Sequence, residues 1–294
     1  MKKKTKSGQI VLHSVFIILT LMYLLPFLLV VSISFSSEAA ILKEGFSLIP
    51  RDFTLDAYKM VFKNSEQIIN SYRTTIIFSV VATALSLLVM GLMAYAMARP
   101  NYMFNRFLSL YVLFTMFFNG GMIPTYILIM KTLHLGDTIW VYIWPTLVGA
   151  YNLMILRTNY RSLPYELIEA AKMDGANELF ICFRVAMPLT LPAFASVGFM
   201  YFVQKWNVWN ASLLYIKKRT DLYSLQYLLQ RILNDASYMQ EAIDQGLIDA
   251  TNVVIPSESL RYALAMVAAG PVLVIFPLFQ KYFAKGLTIG GVKG

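Results

Sequence analysis

Charge is what this sequence has least of. Of its 294 residues, 14% are Asp, Glu, Lys or Arg, against about 25% in an ordinary soluble domain. A soluble fold of that length needs polar side chains to cover its surface, and there are too few. Cysteine is almost missing too. Cys182 stands alone, which excludes a disulfide framework and a cysteine-based zinc or iron–sulfur site. The two histidines, His13 and His134, lie far apart in the chain, so no histidine-rich metal centre is expected. No Gly-Lys dipeptide occurs, and without one there is no phosphate-cradling P-loop. Internal repeats and low-complexity tracts are absent as well.

What is present is apolar. Hydrophobic residues make up 58% of the chain and the mean hydropathy is +0.60. That content rules out disorder and points to an integral membrane protein. A membrane helix needs about 20 mostly apolar residues. Six stretches qualify, at about 10–35, 74–98, 107–130, 139–156, 187–204 and 262–280. Helices satisfy their own backbone in lipid, and the alternating pattern of a membrane barrel is lacking. The expected fold is all-α: one transmembrane domain over 1–294, with outer loops 36–73 and 205–261 and an inner loop 157–186. The run after the amino-terminal lysines is about twice the length of a signal-peptide core, which predicts an uncleaved anchor.

Orientation follows from basic residues. With the amino terminus inside, segments 1–9, 99–106, 157–186 and 281–294 hold 13 Lys/Arg and 4 Asp/Glu. The outer segments hold 12 of each, so the formal net charge of +9 sits inside. Six spans return the carboxyl terminus to the cytoplasm. The basic balance therefore reports orientation and gives no reason to expect nucleic acid. The six apolar cores as bounded above contain no ionisable acid or base other than His13. This argues against proton coupling and voltage gating, while sodium coupling through backbone carbonyls stays open. A pump built this way draws its energy from another chain.

The inner loop 157–186 carries the most informative spacing. Pro164 suits a first helical turn and Glu166 sits where the helix dipole favours an anion. Gly175 is a natural stop, so a helix is expected over about 164–174. Asn177 is placed to cap a second short helix. Leu167, Ala170, Ala171 and Asp174 share a face, and the small residues there admit another backbone. A surface helix joining two spans would satisfy the same spacing.

The run Glu169-Ala170-Ala171, Asp174-Gly175-Ala176 and then Pro188 resembles the cytoplasmic loop of permeases in binding-protein-dependent ABC importers. Val185-Ala186-Met187 stands here where that family commonly has Ile-x-Leu before the proline. The resemblance implies a type I importer permease fold with a cytoplasmic coupling helix between spans four and five. Glu166, Glu169, Ala170, Ala171, Asp174, Gly175 and Ala176 would dock on the ATPase. It also implies a non-catalytic chain in a bacterial cytoplasmic membrane. Its partners would be a second homologous permease, two ATPase subunits and an extracytoplasmic sugar-binding protein, besides the bilayer. ATP and Mg would be used by the ATPase, with no cofactor on this chain.

Two further stretches resemble the carbohydrate branch. The carboxyl end, with Lys285-Gly286-Leu287-Thr288 and Lys293-Gly294, is similar to the tail of the second permease in maltose-type importers, which implies ATPase contact by Lys285, Gly286 and Lys293. Trp206-Asn207-Val208-Trp209-Asn210 is similar to a sugar-branch signature, although a Trp belt is expected at any membrane interface. In span three, Asn119-Gly120-Gly121 and Pro124 weaken the helix. This run resembles one in oligosaccharide permeases. Broken helices line substrate paths, and packing kinks have the same composition. Gly270-Pro271 and Pro277 suggest kinks in span six. Sugar sites pair aromatic faces with amides and hydroxyls, which makes Asn119, Thr125, Tyr126, Asn152, Tyr201, Asn207 and Asn210 the path candidates. The reading is an oligosaccharide importer permease. The competing reading is an ATP-independent channel or secondary transporter.

Overall fold

The computed structural model describes residues 6–247 and 257–289. Its main helices are, in chain order, α1 (Lys6–Ser34), α2 (Glu38–Glu44), α3 (Asp56–Val61), α4 (Ser65–Ala98), α5 (Asn105–Phe117), α6 (Met122–Ile127) and α7 (Ala150–Arg161). They continue with α8 (Glu166–Met173), α9 (Glu178–Ile181), α10 (Leu191–Trp206), α11 (Asn210–Tyr215), α12 (Leu225–Asp244) and α13 (Ser257–Ile289). Extended pairing among the described residues is limited to an isolated bridge between Ser36 and Phe53.

Three helices are long and apolar enough to cross a membrane unbroken: Gly8–Ser34, Ser65–Ala98 and Glu258–Pro277. Three further helix pairs are long and apolar enough only when each bent pair is taken as one span, which gives up to six. Asn105–Phe117 meets Met122–Thr132 at 113°, Ile139–Thr146 meets Ala150–Arg161 at 52°, and Glu178–Leu189 meets Leu191–Trp206 at 82°. The sequence reading left span three open between a broken helix and a packing kink, and the 113° bend shows the break; it took spans four and five as continuous, and their breaks correct it. Each break has a chemical cause. Gly121 adopts φ +89, a conformation that costs a side chain dearly. Pro145 and Gly149 flank the second break. Pro188 and Pro192 remove donors on either side of Thr190 at the third. By contrast, α13 keeps its helical run through Gly270-Pro271 and Pro277.

The chain divides into two compact units. One holds the amino-terminal stretch through Glu66 together with Leu229–Pro271. Within it, Phe35 stacks on Phe53 and Tyr58 with centroids 5.6 and 5.1 Å apart. The Tyr58 hydroxyl donates to Ser34 Oγ at 2.9 Å. The buried Glu38 carboxylate accepts from the backbone N–H groups of Glu258 and Ser259 and from the Ser259 hydroxyl, each at 2.9 Å. An anion here satisfies donors that the first turn of α13 cannot pair internally.

The other unit holds Gln67–Leu228 and the residues from Val272. Phe78, Ala82, Met90, Ala94, Leu153 and Val197 are fully buried at its centre. The ring of Phe78 stacks on Tyr142 at 4.3 Å. α4 and α10 approach closely because glycine allows it. A Cβ on Gly91 would lie 2.9 Å from the Phe194 ring, and one on Gly198 2.9 Å from Leu87. Small residues at such crossings gain dispersion contacts where lipid provides no hydrophobic drive.

Candidate functional site

Helix α8 lies close to where the spacing places it. The Pro164 carbonyl accepts from the Leu167 N–H at 3.3 Å, which opens the turn. Gly175 ends the segment at φ +78, with nothing within 4 Å of the position a Cβ would take. The side chain of Asn177 accepts from the Phe180 N–H at 2.8 Å and caps α9. Ile168 is the residue α8 buries. Glu166, Glu169, Ala170, Asp174 and Gly175 are exposed, while Ala171 and Ala176 are half-buried against the core. The result is a short ridge with acidic and small residues, together with Leu167 and Met173, outward and Ile168 inward.

Behind the ridge sits a polar knot that the spacing argument did not find. Glu178 Oε1 accepts from Lys172 Nζ at 2.6 Å. Its Oε2 accepts from the Tyr95 hydroxyl at 2.7 Å. Arg99 Nη2 stands 3.6 Å from the same carboxylate and also donates to the Tyr95 hydroxyl. Lys172, Tyr95 and Arg99 thus surround one carboxylate with donors. No local signal links Tyr95 to Glu178, because the contact spans 83 positions.

The path candidates occupy three places. Asn119, Thr125 and Tyr126 lie at the break in span three. Asn119 Oδ1 accepts from the Gly121 N–H at 2.9 Å, and Thr125 donates to the Gly121 carbonyl at 2.7 Å. Tyr126 stacks on Tyr215 with centroids 5.9 Å apart. Asn152 and Tyr201 are buried inside the helix packing, and the Tyr201 hydroxyl donates to the Thr146 carbonyl. Asn207 and Asn210 are exposed at the far end of α10. Asn207 Oδ1 accepts from Gln226 Nε2 at 3.1 Å. Two cavities flank Tyr95 and Arg99, and neither is lined by any of these seven residues.

One residue corrects the sequence reading. Lys205 was placed in the outer loop, yet α10 runs on to Trp206 and buries it to 4% exposure. Its ammonium donates to the Tyr142 carbonyl and the Thr146 hydroxyl and lies over the Tyr201 ring. The break in span four frees carbonyls, and a lysine stem long enough to reach them makes burial tolerable.

No protein-family model matches the chain. Individual relatives do. A polygalacturonan/rhamnogalacturonan transport system permease of Bacillus subtilis is 35% identical, with 99% of this chain and 100% of the relative covered. The chain therefore belongs to the permeases of carbohydrate ABC transport systems. An arabinooligosaccharides transport system permease of the same organism is 27% identical over 97% of this chain and 96% of its own. A solved bacterial ABC transporter involved in import of the acidic polysaccharide alginate contains a chain of the same fold. It has a TM-score of 0.77 and 28% identity, covering 96% of this chain and 100% of that one. The permease is thus a multi-pass, all-helical, non-catalytic membrane subunit.

In this permease the tail residues fall on or beyond the end of the description. Lys285 and Gly286 belong to the helical backbone of α13, the Lys285 side chain is not among those described, and Lys293 lies outside the described residues. In the stretch between spans three and four, Asp137 adopts φ +54. Its Oδ1 accepts from the backbone N–H groups of Lys217, Lys218 and Arg219 at 2.7, 2.8 and 3.3 Å. These bonds, that of Lys218 foremost, hold its carboxyl below the usual value. Lys217 Nζ then reaches the Tyr126 hydroxyl at 3.0 Å.

Proposed function

We propose that the permease carries an oligosaccharide into a bacterial cytoplasm on energy supplied by a separate ATPase. The reading rests on the outward ridge of α8. Glu166, Glu169, Ala170, Asp174 and Gly175 form an exposed acidic face on a helix that buries only Ile168 in its own fold. A surface of that kind suits a partner that approaches backbone to backbone at the small residues and pairs a cation with Glu169. Both termini lie in the cytoplasm, as the basic inner segments require. A second permease, two ATPase subunits and an external sugar-binding protein complete the assembly. Nucleotide and Mg stay on the ATPase. The tail residues Lys285, Gly286 and Lys293 add contact to it, and the span-three break with Asn119, Thr125 and Tyr126 faces the sugar.

The test is purification of a tagged chain from its own membranes in mild detergent. An ATPase and a second permease are expected to co-purify, and replacing 166–175 by a Gly-Ser linker is expected to release the ATPase while keeping the second permease. A wild-type chain that comes out alone and moves saccharide in liposomes without ATP would overturn the reading in favour of a channel or secondary transporter.

A further inference from the structure

The structure assigns Glu178 a positioning role: it ties the ATPase-facing helix α8 to the inner end of the second span, so that movement of α8 is delivered to α4. This rests on the coupling function proposed above.

Three elements meet at one carboxylate. Lys172 belongs to α8, Glu178 opens α9, and Tyr95 and Arg99 lie at or just beyond the end of α4. Both carboxylate oxygens are engaged, at 2.6 Å by Lys172 and at 2.7 Å by Tyr95. The Arg99 guanidinium stacks on the Tyr95 ring, 4.1 Å from its centroid, and fixes the hydroxyl that Glu178 receives.

The surroundings explain why so few atoms matter. Two cavities share Tyr95, Arg99, Pro100 and Tyr165 in their walls. One is further bounded by Tyr160, Leu163 and Ile168, the other by Lys172, Glu178 and Cys182. α8 is therefore not seated on α4 by continuous packing. Ile168 gives an apolar foothold that can slide, because hydrophobic contact has no direction. The bonds to Glu178 are charge-assisted and directional, so they resist sliding. Force on the outer face of α8 reaches α4 through this knot.

The prediction is read without any saccharide. Cys182, the sole native thiol, is replaced by Ser, and Asn210→Cys supplies a reporter at the far end of α10. The complete complex is reconstituted, and maleimide labelling of the reporter is compared before and after ATP, Mg and vanadate. The parent complex is expected to change its labelling rate several-fold. Glu178→Gln and Tyr95→Phe are expected to retain the ATPase and at least half of its hydrolysis rate while losing that change. The double variant should be no worse than either single one, since all break one link.

A labelling change that survives in both variants overturns the inference, and so does lowered thermal stability with the response intact, which marks a merely structural contact. A parent complex that hydrolyses ATP without any response also counts against it. Should Glu178→Gln fail to accumulate, Tyr95→Phe decides alone, because it removes one oxygen and keeps the ring. Loss of the ATPase from the parent itself would instead be a failure of the proposed function.

Discussion

The ammonium of Lys205 donates to the carbonyl oxygen of Tyr142 at 2.6 Å, deep in the helix packing. The two residues stand 63 positions apart. One sits near the end of α10, the other in the 3₁₀ stretch where span four turns by 52°. A cation placed on carbonyls that a broken helix leaves free explains how a lysine is tolerated there. Lys205→Met is expected to leave the Tyr142 carbonyl unsatisfied and lower stability by about 1–3 kcal/mol. Thermal unfolding of the purified chain in detergent measures it. An unchanged midpoint would mean that water or lipid replaces the ammonium.

Glu38 plays the matching role in the other unit, as an anion at a helix start. Its carboxylate accepts three bonds from Glu258 and Ser259. Glu38→Gln keeps the shape, loses the charge, and puts a donor where an acceptor is needed. A loss of about 1–2 kcal/mol is expected. Hydrogen exchange should quicken at the amides of Glu258 and Ser259 and leave those around Leu153 as they were.

The latch at Asp137 should be acid-sensitive in one direction. Its carboxyl is depressed in the folded chain. It therefore contributes stability that is complete above the unfolded value of about 3.9 and lost as pH falls through the lower folded value. Protection of the Lys217 and Lys218 amides, corrected for intrinsic exchange, should persist at neutral pH and fade only in strong acid. Asp137→Asn should weaken that protection at every pH.

Gly175 is held at φ +78 with nothing within 4 Å of the position a Cβ would take. Substitution there strains the backbone by about 1–2 kcal/mol and clashes with nothing. Gly175→Asp is expected to reach the membrane in normal amount while separating ATP hydrolysis from uptake of whatever saccharide the partner binding protein retains. Normal uptake per ATP would remove Gly175 from the coupling role.

Composition and spacing alone determined that the chain is a helical membrane protein. Charge scarcity forbids a soluble surface, and runs of about 20 apolar residues admit only helices in lipid. The ends of α8 and the Asn177 cap were equally legible, because proline, glycine and asparagine act within a few residues of themselves. Tertiary structure decided the rest. The bends in spans three to five turn on backbone angles that composition only hints at. The burial of Lys205 and the Tyr95–Glu178 contact depend on residues 63 and 83 positions away. A sequence read in order carries no distance between such pairs, and only packing of one helix on another creates it.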